Sequence, residues 1–205
     1  GICSVLAFIV TVVLFAGGCG EPRKQPSNGP KKSIQEMNTF AVAPIRNGTG
    51  FRLLVPKDPN KDNHGEPVRT TSIEKEVRQE FMSHLRRLGY DLLSTDTFDE
   101  LLRNKTRSGN ITEDQLAKIS PADGTWIVTL TVWDVSEMAS LNRIDISANV
   151  ELRDKETGQI VWSKDNFAKS VIRPEKYATH DLYIQAYIED LLEEIPKLKL
   201  SLIHI

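Results

Sequence analysis

Two cysteines, four histidines and a large set of carboxylates are the groups in this 205-residue chain with chemistry to offer. Both cysteines, Cys3 and Cys19, precede residue 20, so the rest of the chain has no thiol for a disulfide or a cysteine-ligated metal. A single unpaired thiol at Cys19, directly after Ala16-Gly17-Gly18, is a reactive group unless it is modified. His64, His84, His180 and His204 are scattered without metal-ligand spacing, and His84 reads as a surface or boundary residue. Glu74, Glu76 and Glu80 read as a solvated helix face rather than an acid–base pair. No phosphate-cradling glycine loop, nucleophile elbow or zinc motif occurs. The expectation is a protein that is not an enzyme, with no catalytic residue, metal site or cofactor. A net charge of −2 gives no basic excess to neutralise phosphates, so nucleic acid is not an expected partner.

The segment that delivers Cys19 explains its chemistry. Ile2 to Ala16 is uncharged and shorter than the about 20 residues of a membrane span. It has the length of a signal-peptide apolar region, and its start is read as preceding Gly1. The small-small-Cys ending resembles the lipobox at which bacterial lipoproteins are acylated and cleaved, with Ala16 where Leu is usual. Cys19 is therefore the expected lipidation site, carrying fatty acyl chains such as palmitate. Each buried methylene contributes about 0.8 kcal/mol to anchoring. Gly20 rather than Asp after the cysteine points, by the same resemblance, to the periplasmic face of the outer membrane. An uncleaved membrane anchor and simple secretion are the alternatives. Residues 1–18 are thus read as signal peptide and 19–37 as lipidated cysteine and flexible tether, rich in Pro, Lys, Ser and Gly. At the other end, Leu200 to Ile205 matches what a widely used transposon-end sequencing adapter encodes in one frame. Residues 200–205 are read as a non-native tail, with a native apolar tail as the alternative.

Residues 38–199 must form the folded domain. Asn38 to Ile45 reads as a strand ended by Pro44, followed by a long polar stretch, Arg46 to Thr70. Thr71 with Glu74 reads as a capping box for a helix carrying Ile73, Val77, Phe81, Leu85 and Leu88, stopped by Gly89. Tyr90 to Ser94 reads as a short strand, and Thr95 or Asp96 caps a second helix with Phe98, Leu101 and Leu102. Thr112 with Gln115 caps a third helix that ends near Ser120-Pro121. Trp126, Val128, Leu130 and Val132 form one face of a strand, with Ile127 and Trp133 on the other. Ile144 to Arg153 alternates most clearly, turns at Asp154 to Gly158, and returns from Gln159 to Lys164. A last helix after Pro174 carries Tyr177, Leu182 or Ile184, Ile188, Leu191 and Ile195.

Three pieces carry a family resemblance: the strand into Pro-x-x-Asn within Phe40 to Gly50, the helix end Leu88-Gly89-Tyr90, and the hairpin Val150 to Trp162 with Thr157-Gly158 and a returning Trp162. Together they resemble the TolB amino-terminal-domain-like envelope proteins. These include the curli-secretion lipoprotein CsgG, the penicillin-binding-protein activator LpoB and a meningococcal surface lipoprotein. The resemblance covers about Asn38 to Val171 and implies an α+β fold, a single mixed β-sheet with helices packed on it. It further implies a protein-binding adaptor in envelope assembly or secretion, anchored through acylated Cys19, with an envelope protein as partner and self-association into a homo-oligomer open. An auxiliary lipoprotein of an ABC-type transport or lipid-trafficking system is the alternative. Function sits more often on loops than in cores. The run Phe51-Arg52-Leu53-Leu54-Val55 and Trp133, on a strand face that is either covered by helices or exposed, give the candidate partner-binding residues: Phe51, Leu53, Leu54 and Trp133. The competing reading of the run is a short strand or lid over the core.

Overall fold

The alternation from Ile144 to Leu152 becomes the inner strand of a mixed sheet in the computed structural model, which describes residues 33–51, 53–56, 70–105, 111–174 and 178–198. The elements in chain order are β1 (Phe40–Val42), β2 (Arg46–Asn47), β3 (Leu54–Pro56), β4 (Thr70–Ser72), α1 (Ile73–Arg87), α2 (Thr95–Lys105), α3 (Glu113–Ile119), β5 (Gly124–Asp134), α4 (Met138–Leu141), β6 (Arg143–Asp154), β7 (Ile160–Ile172) and α5 (His180–Glu193). The fold is α+β. Its sheet runs β1-β5-β6-β7, with β2 continuing the β1 side of β5. β1 and β2 pair with β5 in parallel; β5, β6 and β7 are antiparallel. β3 and β4 form a separate antiparallel ladder, so Leu54 and Val55 lie in a short extra strand.

Each sheet face has its own helices because the alternation places apolar residues on both. On one face α1 and α5 bury Phe40, Val42, Trp126, Val128, Leu130, Ile144, Ile146, Ala148, Val150 and Leu152. On the other, α2 and α3 cover Ala41, Ala43 and Ile127 with Phe98, Leu102 and Leu116. Ala41 of β1 and Ala43 just after it leave room for α2 to approach. A buried arginine ties these layers together. Arg78 on α1 donates to Val42 O at 2.6 and 3.1 Å and forks onto Asp99 of α2 at 2.7 and 2.8 Å.

Local signals explain most element ends. Thr112 and Gln115 cap α3 reciprocally, and Gly89 takes φ +89° after α1 as its position requires. α1 is capped by Ser72, whose side chain accepts from Lys75 N, one residue later than the expected Thr71. Ser94, rather than Thr95 or Asp96, accepts from Thr97 N at the start of α2. The expected strand Tyr90 to Ser94 shrinks to one bridge, Phe40 with Leu92. Ile34 and Met37, placed in the tether by sequence, are buried in the main core. His84 is buried as well, contrary to expectation: its Nδ1 lies 3.0 Å from Glu80 Oε1, and its Nε2 lies 3.6 Å from Glu189 of α5. Residues 1–18, read as a signal peptide, Cys19 and residues 200–205 lie outside the described residues, as do Tyr177, His64 and His204.

Leu152 is fully buried opposite Trp126 and Trp162. Leu152→Ala should cost about 2–5 kcal/mol through lost transfer energy and a cavity, read as a lowered urea midpoint with unchanged slope.

Candidate protein-interaction surface

The end of the sheet where β5 finishes and β6 begins is where the exposed apolar side chains collect. It begins with a turn built by Asn47. β2 runs beside β5, and Gly48 N–H donates to Leu130 O at 2.7 Å. A Cβ on Gly48 would stand 2.9 Å from that oxygen, so the strands approach this closely only with glycine. The Asn47 amide then uses both donors and both acceptor positions. Its Nδ2 donates to Phe51 O at 2.6 Å and Glu74 Oε1 at 2.8 Å. Its Oδ1 accepts from Thr49 N at 3.0 Å and Thr49 Oγ1 at 2.7 Å. Gly50, at φ +78°, completes the reversal. The result is a fixed backbone that holds Phe51 with 76% of its surface exposed.

The run after Phe51 divides. Leu53 is buried in the main core and its carbonyl accepts from Ile73 N at 3.1 Å, starting α1. Leu54 belongs to β3, where its backbone pairs with Ser72. Phe51 is thus exposed and Leu53 is part of the core, so the structure does not present the run as one surface.

Trp133 is displaced from its expected face by a bulge. The register between β5 and β6 skips Thr131: Leu130 pairs with Ala148, then Val132 with Ser147 and Trp133 with Ile146. One extra residue inverts the side chains beyond it. Val132 turns out to 43% exposure. Trp133 turns in, packs against the main core and stacks on His180 at 6.3 Å between ring centroids. Burial holds His180 below its ordinary pKa of 6.5, with Asp181 opposing more weakly.

Phe51, Val132, Val135, Leu141 and Ile172 are the large apolar side chains exposed among the described residues. The topology puts all five at one end: after β2, at and beyond the end of β5, on α4, and at the end of β7. Charge interleaves with them. Arg143 Nη2 lies 3.1 Å from Glu137 and 3.0 Å from Asp145. A hydrogen bond from Ser170, then one from Arg143, lowers the Asp145 pKa; hydrogen bonds from Ser136 lower that of Asp134. These carboxylates stay ionised at neutral pH. Sequence periodicity places Val132 on the buried Trp126 face, which the bulge reverses, and singles out none of Val135, Leu141 and Ile172, whose exposure a connecting turn and strand ends decide.

The N-terminal segment joins at the opposite end. Ser33 and Glu36 form a capping box there, Gln35 Nε2 donates to Lys197 O at 3.2 Å, and Met37 packs beside Gly124 at the start of β5. Among the described residues there is no group of three or more His, Cys, Asp or Glu placed to hold a metal, and no helix long and apolar enough to cross a membrane.

No protein-family model and no curated protein matches the chain. Among solved structures it is similar to the lipoprotein GNA1162 from Neisseria meningitidis, with TM-score 0.47 and 14% identity over 77% of this chain and 95% of that one. It is similar to the PelC dodecamer from Paraburkholderia phytofirmans, with TM-score 0.47 and 13% identity over 85% and 96%. It is also similar to the LpoB C-terminal domain from Escherichia coli, with TM-score 0.40 and 13% identity over 72% and 88%. A meningococcal lipoprotein and LpoB are the kinds of protein that the three sequence motifs resemble.

Trp133 and Phe51 should separate by stability. Trp133→Ala should lose about 2–4 kcal/mol, whereas Phe51→Ser should stay within about 0.5 kcal/mol of the parent, both by chemical denaturation. His180 makes a pH prediction. Its pKa is lower folded than unfolded, so the unfolded chain binds the extra proton and stability falls as pH drops below about 6.5. His180→Gln should flatten that part of the stability–pH curve; an unchanged curve would remove His180 as its cause.

Proposed function

We propose that this chain is a lipid-anchored envelope protein whose domain binds another envelope protein and catalyses no reaction. Acylated Cys19 holds it at the periplasmic face of the outer membrane, with residues up to Ser33 as the tether. The observation that carries the reading is the opposition of the two ends. The chain enters beside Gly124 and Lys197, while Phe51, Val132, Val135 and Leu141 project at the far end of the sheet. A domain tethered at one end and apolar at the other presents its adhesive surface away from its anchor. Scattered exposed apolar residues are ordinary, but several gathered at one end, interleaved with charge, suit a protein partner. A carrier of lipid or substrate would hold its cargo between helices and sheet. That space is filled here by Trp126, Phe81, Tyr183 and Tyr187, each at most 1% exposed, which favours the adaptor over the transport reading.

The test is in-cell photocrosslinking from position 51, compared with position 156 in the exposed hairpin turn at the tethered end. A discrete adduct from 51, lost in Leu141→Ser and absent from 156, supports the reading. Adducts at both positions, or at neither, count against it. Cys19→Ser should abolish acylation and release the domain from the membrane or leave it uncleaved; a cleaved variant that stays membrane-bound would refute the anchor.

A further inference from the structure

Strand β7 has β6 on one side and, among the described residues, no strand on the other. An open row of N–H and C=O groups is a template for pairing, which edge strands ordinarily block with charge, bulges or proline. Along β7 these devices have particular positions. Asn166 has φ +49°, and the register with β6 shifts between Ala148 and Val150, so a bulge interrupts the edge there. Pro174 has no N–H and closes the other end. Between them lie seven residues, Phe167 to Arg173, with Ser170 at the centre. Lys169 does not guard this stretch: its Nζ lies 3.2 Å from Asp190 on α5 and 5.8 Å from the Phe167 ring centroid. Lys164 is likewise turned to Glu194 at 3.1 Å. Arg173 N–H donates to Asn142 O at 3.0 Å. By the alternation of an antiparallel ladder, Phe167, Lys169 and Val171 also turn their backbone groups to β6, and Ala168, Ser170 and Ile172 turn theirs outward.

The geometry points to the outer edge of β7 as a self-pairing surface, joining two copies of this chain antiparallel about a two-fold axis through Ser170. A two-fold interface must complement itself, and this register does. Ser170 meets Ser170, and Lys169 meets Val171. Ala168 meets Ile172, a side chain 65% exposed in the single chain. The bulge residue Asn166 falls opposite Pro174, so each copy stops pairing where the other does. Neighbouring registers are worse. Two residues one way sets Lys169 against Lys169; two the other way sets Lys169 against Arg173, and directly opposed like charges destabilise a sheet. A one-residue slip turns the helices of the two copies to opposite faces. An extended peptide from a different protein has no reason to obey this centring.

Sedimentation equilibrium of the full chain in detergent micelles reads the association directly, and a dimer is expected. Ser170→Pro removes an N–H that points away from β6, so the sheet keeps its own ladder while self-association weakens roughly tenfold or more. Ile172→Lys is the second variant, should the proline disturb folding; both are checked by melting temperature. Ser170→Cys brings two Cα atoms to about 5.5 Å across the axis, within disulfide range. It should cross-link two copies under mild oxidation beyond any cross-linking of the parent chain, which controls for Cys3 and Cys19 where these are present and unmodified. A chain monomeric at every concentration overturns the proposal. So does a dimer that Ile172→Lys leaves unweakened and Ser170→Cys does not cross-link. The measurement contains one protein, so its failure leaves the adaptor reading standing, and the reverse holds as well.

Discussion

Trp126 sits in a single row across the sheet, Val42–Trp126–Leu152–Trp162, and is fully buried there. Its ring meets Phe81 of α1, Tyr90 after α1 and Trp162 of β7 edge-to-face, at 5.6 to 5.8 Å between centroids. One side chain therefore fixes where α1 crosses, where the chain returns after it, and how far β7 closes over the core. Among the described residues its indole N–H has no hydrogen-bond partner, so packing carries its hold there, and edge-to-face pairs add about 0.5–1.5 kcal/mol each beyond burial. Its place depends in turn on Gly124, where a Cβ would stand 2.9 Å from Met37 Sδ and 3.0 Å from Phe40 Cδ1.

From that row the sheet is regular toward the hairpin and irregular toward the other end. The hairpin end is locked by local chemistry. Asp154 accepts from Thr157 N and Oγ1 at 2.8 and 2.7 Å, and Gly158 takes φ +71°. Arg153 ties the turn to α3 through the Gly158 carbonyl at 3.0 Å and through Asp114. At the far end the bulge at Thr131 exchanges Val132 for Trp133 on the helical face. Without it Trp133 would face away from α5, and the His180 ring would lack its stacking partner.

These differences explain which parts of the fold were legible in the sequence. The β6 alternation, the Thr112–Gln115 box, Gly89 and the Thr157-Gly158 turn are local signals whose cause lies within a few residues, and each forms as read. The Ser72 and Ser94 caps each lie one residue from the reading, because adjacent Ser and Thr are equivalent as caps until tertiary packing chooses between them. The bulge leaves no mark in residue type, so strict alternation puts Trp133 on the Ile127 face instead of the core face it takes. His84 reads as polar on a boundary, yet Glu80 and Arg87 of its own helix are its hydrogen-bond partners, with Glu189 of α5 nearby, so it is buried between two helices. The surface was legible only at Phe51. Pro44 to Asn47 reads only as a strand end and a family motif, and that Asn47 saturates its amide to hold the aromatic outward depends on Glu74, which lies 27 residues on.

On the proposed reading, the geometry of that turn bears on how the far end would meet a partner. An exposed aromatic on a floppy loop must be immobilised when it enters a partner's pocket, at about 0.5–1.5 kcal/mol for a rotamer-rich side chain and more for loosely held backbone. Asn47 and Gly48 fix the backbone around Phe51 before any partner arrives, and an aromatic side chain has few torsions left to lose. β2, beside the inner strand β5, carries this fixity straight into the row containing Trp126. The same sheet that buries one tryptophan completely is thus the support that keeps one phenylalanine in water, and loosening the Gly48–Leu130 contact would release the second without unpacking the first.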